Sequence, residues 1–392
     1  MTAILALLFS LSLNNHSTPE PPALDCAWLA LANPGTRCTL DGGWVLARKG
    51  QQSGDPGYYQ FAMAIGRQLA DQPQLNTEAT LLHGYSLQQL HRFDEAYERV
   101  APLLSSAPIA SVHQLLGDIR LEQGRFDEAV EHYQQQLDVK PSPSAYARAA
   151  KVRYLAGNVK GAIELIELAL EGAARSSDSA ELAWVLRLGG RFLLSRGDHQ
   201  AAIAMLHDSV RLAPVPDAYL LLAKSHFAAG NAERCRQLLQ ELVAVYPSPD
   251  AQRWLRELTP SLANAQRAQE TAGASIDARG QARSLLTSGG DVRLAKRLLD
   301  GELSQRQDPI TLSIAGWAQL LDGNAGEAAL AISQALVRPY PEPFPYLVGA
   351  LVAHERKQLN QRDTFLARVA EQISLLSPSE RAIYARLKAS AI

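Results

Sequence analysis

One pattern, returning about every 34 residues, restricts what this chain can fold into more than any other feature. Its cleanest copy runs from Ser111 to Pro141: Leu116-Gly117, then Gly124-Arg125-Phe126-Asp127-Glu128-Ala129, then Tyr133 and Pro141. The same grammar is written at Gly84, Arg92-Phe93-Asp94-Glu95-Ala96 and Pro108. Self-similarity at a fixed period, with small residues in fixed slots, predicts pairs of helices stacked side by side rather than one globular core. An ordinary fold of 392 residues would divide into two or three domains. A stack escapes that limit because each unit touches only its neighbours and the core grows lengthwise.

Each unit reads as helix A, a tight turn, helix B and a longer turn. The tight turns carry Gly followed by a polar residue: Gly54-Asp55, Gly124-Arg125, Gly157-Asn158, Gly197-Asp198, Gly230-Asn231, Gly290-Asp291 and Gly323-Asn324. A helix commonly exits through a left-handed residue, and the Asp or Asn that follows can cap helix B. Where helix B crosses helix A the sequence keeps a small side chain, at Ala96, Ala129, Ala162, Ala202, Cys235, Ala295 and Ala328. Prolines at 73, 108, 141, 214, 247, 309 and 341 close units, because proline is excluded from helix interiors. The frame gives about nine units, the first and last degenerate. It divides the chain into a leader and polar linker (1–22), an irregular N-terminal cap segment (23–56), a first repeat block (57–258), a break (259–275) and a second block with a C-terminal helix (276–392).

Little in the sequence points to chemistry. The nine histidines are scattered, and only His83 and His113, on adjacent A helices, are placed to approach each other. A structural metal site needs about four ligands, so no metal is expected. No nucleophile elbow and no Gly-rich phosphate loop occurs. Asp94-Glu95 and Asp127-Glu128 sit in the first turn of helix B, where they complement the helix dipole. No catalysis and no cofactor is expected. The formal net charge of −2 argues against a general nucleic-acid binder, which needs a basic face.

Residues 42–375 resemble the tetratricopeptide-repeat family, most clearly in Thr77–Pro108 and Ala110–Pro141. The stretch Ser144-Ala-Tyr-Ala-Arg-Ala-Ala with Gly157-Asn158, Gly161-Ala-Ile and Ala183-Trp184 is also similar to exported bacterial members of unassigned function. The resemblance implies an all-α, right-handed α-solenoid of about eight to nine helix-turn-helix units. It also implies a protein-interaction scaffold whose concave face, mostly helix A, binds a peptide or partner protein. Carried onto this frame, the groove slots hold Tyr85, Gln88, Gln89, Gln114, Asp118, Glu122, Lys151, Tyr154, Trp184, Arg187, Arg191, Lys224, Phe227 and Trp317. From Lys151 to Phe227 cations alternate with aromatics, which suits an acidic or C-terminal peptide. The carboxylate clamp of some members is not matched: its positions hold Leu81, Tyr85, Leu115, Ser144 and Arg148, of which only Arg148 agrees. The competing reading is an accessory subunit or enzyme with its site at the N-terminal cap or the break.

Residues 1–13 form a short apolar run followed by polar, Pro-rich sequence, as in a secretory signal; the plainer alternative is a frayed helix. The run is too short to span a bilayer. The signal reading places the protein in the periplasm or outside the cell, the alternative in the cytoplasm. Cys26 and Cys38 would close a small disulfide loop in an oxidising compartment and remain free thiols otherwise, while Cys235 reads as a buried thiol. Trp28 and Trp44 are expected to anchor the N-terminal segment, and Trp254 to plug the break between blocks.

Overall fold

The structure, a computed structural model, describes residues 39–246, 248–259 and 277–390. Cys26, Cys38, Trp28, the apolar leader and most of the break at 259–275 lie outside the described residues. Among the described residues the regular secondary structure is entirely helical.

Six hairpins come first: α1 (Leu40–Ser53) with α2 (Pro56–Leu69), α3 (Asn76–Gln89) with α4 (Phe93–Val100), and, after the short α5 (Leu103–Ser106), α6 (Ala110–Glu122) with α7 (Phe126–Val139). Next are α8 (Pro143–Leu155) with α9 (Val159–Arg175), α10 (Ser179–Arg196) with α11 (His199–Leu212), and α12 (Pro216–Ala228) with α13 (Ala232–Val245). A single helix, α14 (Pro249–Leu258), ends this block. Three more hairpins follow: α15 (Ala278–Thr287) with α16 (Val292–Gln305), α17 (Pro309–Leu321) with α18 (Ala325–Ala335), and α19 (Phe344–Glu355) with α20 (Leu359–Glu371). Helix α21 (Pro378–Ala389) closes the chain. The segment read as an irregular cap thus contains a regular helix, α1, started by the Thr39 side chain accepting from the Gly42 N–H.

The crossing slots explain why the hairpins close so tightly. Ala96, Ala129, Ala162, Ala202, Cys235, Ala295 and Ala328 are all fully buried. A larger side chain there would force the two helices apart, at about 1–3 kcal/mol. Burial also pushes the Cys235 thiol up to about 12, which keeps it protonated and inert. The turns follow the expected rule with two corrections. In the seventh hairpin the left-handed residue is Gly289, not Gly290. His91 and Lys357 take the same conformation in the turns that lack glycine. Asp55, Asn158, Asn231 and Asp291 cap helix B through their side chains, whereas Asp198 and Asn324 do not. Pro309, read as closing a unit, instead opens α17 behind the capping Asp308.

The stack is not an open rod. The second block returns across the first; Leu375 packs on the first block's apolar core, and many of the other contacts are polar. The Gln307 N–H donates to the Gln123 carbonyl at 3.0 Å. Arg338 grips the Asp127 carboxylate with both terminal nitrogens, at 2.8 and 2.5 Å. Arg191 pairs with Glu342, and Ser195 bonds both the Pro341 carbonyl and Gln372. At the far end Glu380, 1 % exposed, accepts from Arg283 at 2.6 Å and faces Arg253 at 3.6 Å. Glu380 also completes a capping box with Ser377 at the start of α21. Arg253 reaches Glu257 at 3.1 Å, and Glu257 accepts from the Ser379 N–H at 3.0 Å. Each block keeps its own apolar core: one buried cluster runs from Ala282 to Leu387, and the others lie between Ala47 and Leu255. Trp254, in α14, is buried edge-to-face on Phe227 with centroids 5.4 Å apart.

Gly124 shows the closure most directly. Its φ is +82°, and a Cβ there would stand 2.7 Å from the Gln307 carbonyl. Gly230 has φ +84° but nothing within 4 Å of its own Cβ position. Gly230→Ala should therefore lose only the left-handed penalty, roughly 1–2 kcal/mol. Gly124→Ala should lose that and loosen the blocks as well. Urea denaturation should show Gly124→Ala to be the weaker variant, and equal midpoints would contradict the closed arrangement.

Candidate functional site

Folding back forms two half-open cavities between the blocks. The larger, about 870 Å³, has Gly50, Tyr59 and Tyr85 from the first three A- and B-helices on one wall. Asp118, Arg148, Trp184 and Arg187 continue that wall through α6, α8 and α10. Tyr246, Asp250, Asp277, Arg279, Arg283 and Ile310 face them from the end of the first block and the start of the second. The smaller, about 460 Å³, lies beside Glu122, Lys151, Tyr154, Arg191, Arg338 and Tyr340. Positions four apart on an A helix share a face, so successive A helices line both cavities with the same slots.

Of the residues assigned to the groove, Tyr85, Gln88, Gln89, Asp118, Trp184 and Arg187 meet in the larger cavity. Glu122, Lys151, Tyr154 and Arg191 meet in the smaller. Gln114 lines neither; its amide oxygen accepts from Gln136 at 3.3 Å on helix B of its own hairpin. Lys224 lines neither and is held by Asp250 at 2.6 Å. Phe227 is covered by Arg381, whose guanidinium carbon lies 4.3 Å from the ring centroid. Trp317 is 5 % exposed inside the core of the second block, 6.0 Å from the Phe344 ring, and is no groove residue. Ile314 and Ala318, on the same face of α17, are buried in the same core.

The run from Lys151 to Phe227 is not a free cationic face, because each cation already has an acid. Arg148 meets Asp118 as a fork, with contacts of 2.7, 3.0 and 3.2 Å, and the Tyr133 hydroxyl donates to the same carboxylate at 2.8 Å. Arg187 pairs with Asp217 at 3.2 Å and Arg279 with Asp308 at 3.4 Å. Lys151 faces Glu122 more loosely, at 3.8 Å. Burial works against the Arg148 charge, but Asp118 overrides it and holds the guanidinium protonated. Burial would likewise raise the Asp250 carboxyl; Lys224 and Arg253 reverse this and hold it well below the usual range. Along the larger cavity Arg148, Arg187, Arg279 and Arg283 balance Asp118, Asp217, Asp250 and Asp277. The acids across the cavity come from other hairpins, so spacing within one repeat could not reveal them.

Aromatic rings form the neutral part of the wall. Tyr85 lies 5.6 Å from Trp44 and 6.4 Å, edge-on, from Tyr59. Burial, aided by Asp118, pushes its phenol up to about 12. Arg148 sits 4.8 Å over Trp184, fixing that ring from behind. A Cβ at Gly54 would collide with the Tyr246 ring, so the first hairpin closes onto the end of the sixth.

His83 and His113 do not pair. His113 instead approaches His132 on helix B of its own hairpin, with the two Nδ1 atoms 3.4 Å apart. His83 stands on α3 with a buried, unpartnered Nδ1. Burial lowers its pKa to about 4, and Arg99, Arg67 and Arg92 push in the same direction against Glu95. A base whose folded pKa lies below its unfolded 6.5 binds its proton more readily in the unfolded chain. Stability is therefore full above about pH 6.5 and is lost as pH falls toward 4. The urea midpoint should drop between pH 7 and 4.5, and His83→Gln should flatten that slope; an unchanged slope would show that His83 does not carry the effect.

Tetratricopeptide-repeat models match residues 81–135, 114–180 and 193–258. Those stretches of the chain are tetratricopeptide repeats, and they support reading it as a protein-interaction scaffold. No curated protein matches the sequence. Among solved structures, the human IFIT1 dimer with PPP-AAAA is 18 % identical, with 76 % of this chain and 71 % of that chain covered and a TM-score of 0.47. The Cut9–Hcn1 hetero-tetramer of APC/C is 16 % identical, with 94 % and 67 % covered and a TM-score of 0.47. PilF of Pseudomonas aeruginosa is 12 % identical, with 72 % and 97 % covered and a TM-score of 0.33. No described helix is long and apolar enough to cross a membrane.

Proposed function

We propose that this scaffold holds a linear peptide segment of a partner protein in the larger cavity, and that the protein works in the bacterial cell envelope after export. One observation carries the binding reading: Tyr85, Asp118, Arg148, Trp184 and Arg187, from successive A helices, converge on one space of about 870 Å³. That volume falls in the range of concave binding sites, and an extended chain is the shape a row of parallel helices can follow. The export reading rests on the apolar run of residues 1–13 and the polar, Pro-rich sequence behind it.

A photo-crosslinking amino acid placed at Gln89, on the cavity wall, should capture a partner from an envelope extract. The same group at Leu168, an exposed side chain on helix B, should not. Equal capture from both positions would reject the cavity as the binding site. Mass spectrometry of the protein recovered from the envelope should find its N-terminus between Asn14 and Pro22; intact Met1 in the cytosol would reject export.

A further inference from the structure

The chemistry of the larger cavity, taken with a segment of the chain's own that lies in the adjoining groove, narrows the ligand; the argument rests on the peptide reading above. Every charged side chain on the cavity wall has a partner within the chain: the ion pairs already described hold the arginines, Asp250 is held by Lys224, and Asp277 caps α15. A charged ligand would have to compete with these pairs, most of them partly desolvated, and would leave a wall charge unpaired, which is unfavourable.

The groups left free are neutral. Gln88 and Gln89 flank Tyr85 on α3, and their amides make no hydrogen bond among the described residues. A glutamine amide offers one carbonyl and two N–H groups, a match for the N–H and C=O of a passing main chain. Around them stand Tyr59, Tyr85 and Trp184. Aromatic-lined grooves with a few polar donors take proline-containing extended peptides, which are already stretched and lose little freedom on binding.

The chain supplies its own example one stretch further along. Pro339-Tyr340-Pro341-Glu342-Pro343 is non-helical and lies against α8 and α10. The Pro341 carbonyl accepts from the Ser195 hydroxyl at 3.4 Å. Tyr340 joins Tyr154 and Phe192 in lining the smaller cavity. Glu342 neutralises Arg191. In the larger cavity Asp118 and Asp217 do for Arg148 and Arg187 what Glu342 does for Arg191, but from the wall itself. A ligand there needs the prolines and aromatics of that segment and not its acid.

We propose that the larger cavity takes an extended, uncharged, proline-containing peptide segment, held by aromatic contact and main-chain hydrogen bonds. A random dodecapeptide library displayed on phage, selected on the immobilised full chain, tests this. Enriched sequences should carry at least two prolines with an aromatic residue and a net charge near zero. Their affinity should fall about tenfold in Trp184→Ala, the scale of a lost aromatic anchor, and also in Gln89→Ala, which removes no packed ring and so guards against misfolding. Enrichment of acidic or proline-poor peptides that still respond to both variants overturns this ligand class and leaves the peptide reading standing. No enrichment, or peptides indifferent to both variants, overturns both.

Discussion

A buried carboxylate holds this molecule in its closed form. Glu380 is the third residue of α21, where its side chain accepts from the Ser377 N–H and so caps the helix start. The same carboxylate accepts from Arg283 and faces Arg253. One group thus fixes the last helix, the first hairpin of the second block and the last helix of the first block. Burial alone would raise its pKa, but Arg283 and Arg253 hold it below the usual range, so it stays charged. Breaking such a buried set by removing one member typically loses about 3–5 kcal/mol, because the remaining charges lose their compensation. Replacing all of them with apolar residues would carry no such penalty, which makes specificity of docking the better account of why charge is used here. The arrangement also explains why two separate cores can share one shape. The buried clusters lie within one block or the other, with Leu375 the apolar side chain that packs across, and directional polar contacts do much to decide how the blocks sit.

The repeat grammar exposed the local geometry almost completely. Seven small residues chosen from their spacing are all fully buried, because a helix crossing is decided within one hairpin and its residues are adjacent in sequence. The turns were legible for the same reason. Where they misled, at Gly290, the left-handed conformation belongs to the preceding Gly289, and adjacent glycines cannot be told apart by spacing. Trp317 was misplaced because an aromatic at a groove slot looks the same whether the next hairpin leaves it open or covers it.

The return of the second block was not legible. Asp127 and Arg338 lie 211 residues apart, and neither carries a signal that names the other. Asp127 reads as a first-turn acid at a helix start, a sufficient role in itself. The same limit hid the acids of the cavity. Arg187 looked like a free cation because Asp217 sits on the next hairpin, about one repeat away. A repeat frame records which face of a helix a residue occupies, not whether that face is already answered across the groove.

This pairing changes what a charge in the groove means. A free arginine on a concave face would advertise for an acid, and its removal would weaken binding alone. Here Arg148 is a structural member of its wall: its fork fixes Asp118, and its guanidinium stacks over Trp184. Reversing that charge would release a carboxylate and a ring together, so lost binding would report a deformed cavity rather than a lost ligand contact. The neutral groups that need no partner within the chain, Gln88, Gln89 and the face of Trp184, are where recognition can be separated from architecture. A cavity whose charges are already satisfied is also preorganised, since nothing in its wall must rearrange to receive a neutral chain. It gains affinity from fit and main-chain hydrogen bonds, and because those pairs are partly buried, added salt screens it less than it would an exposed cationic groove.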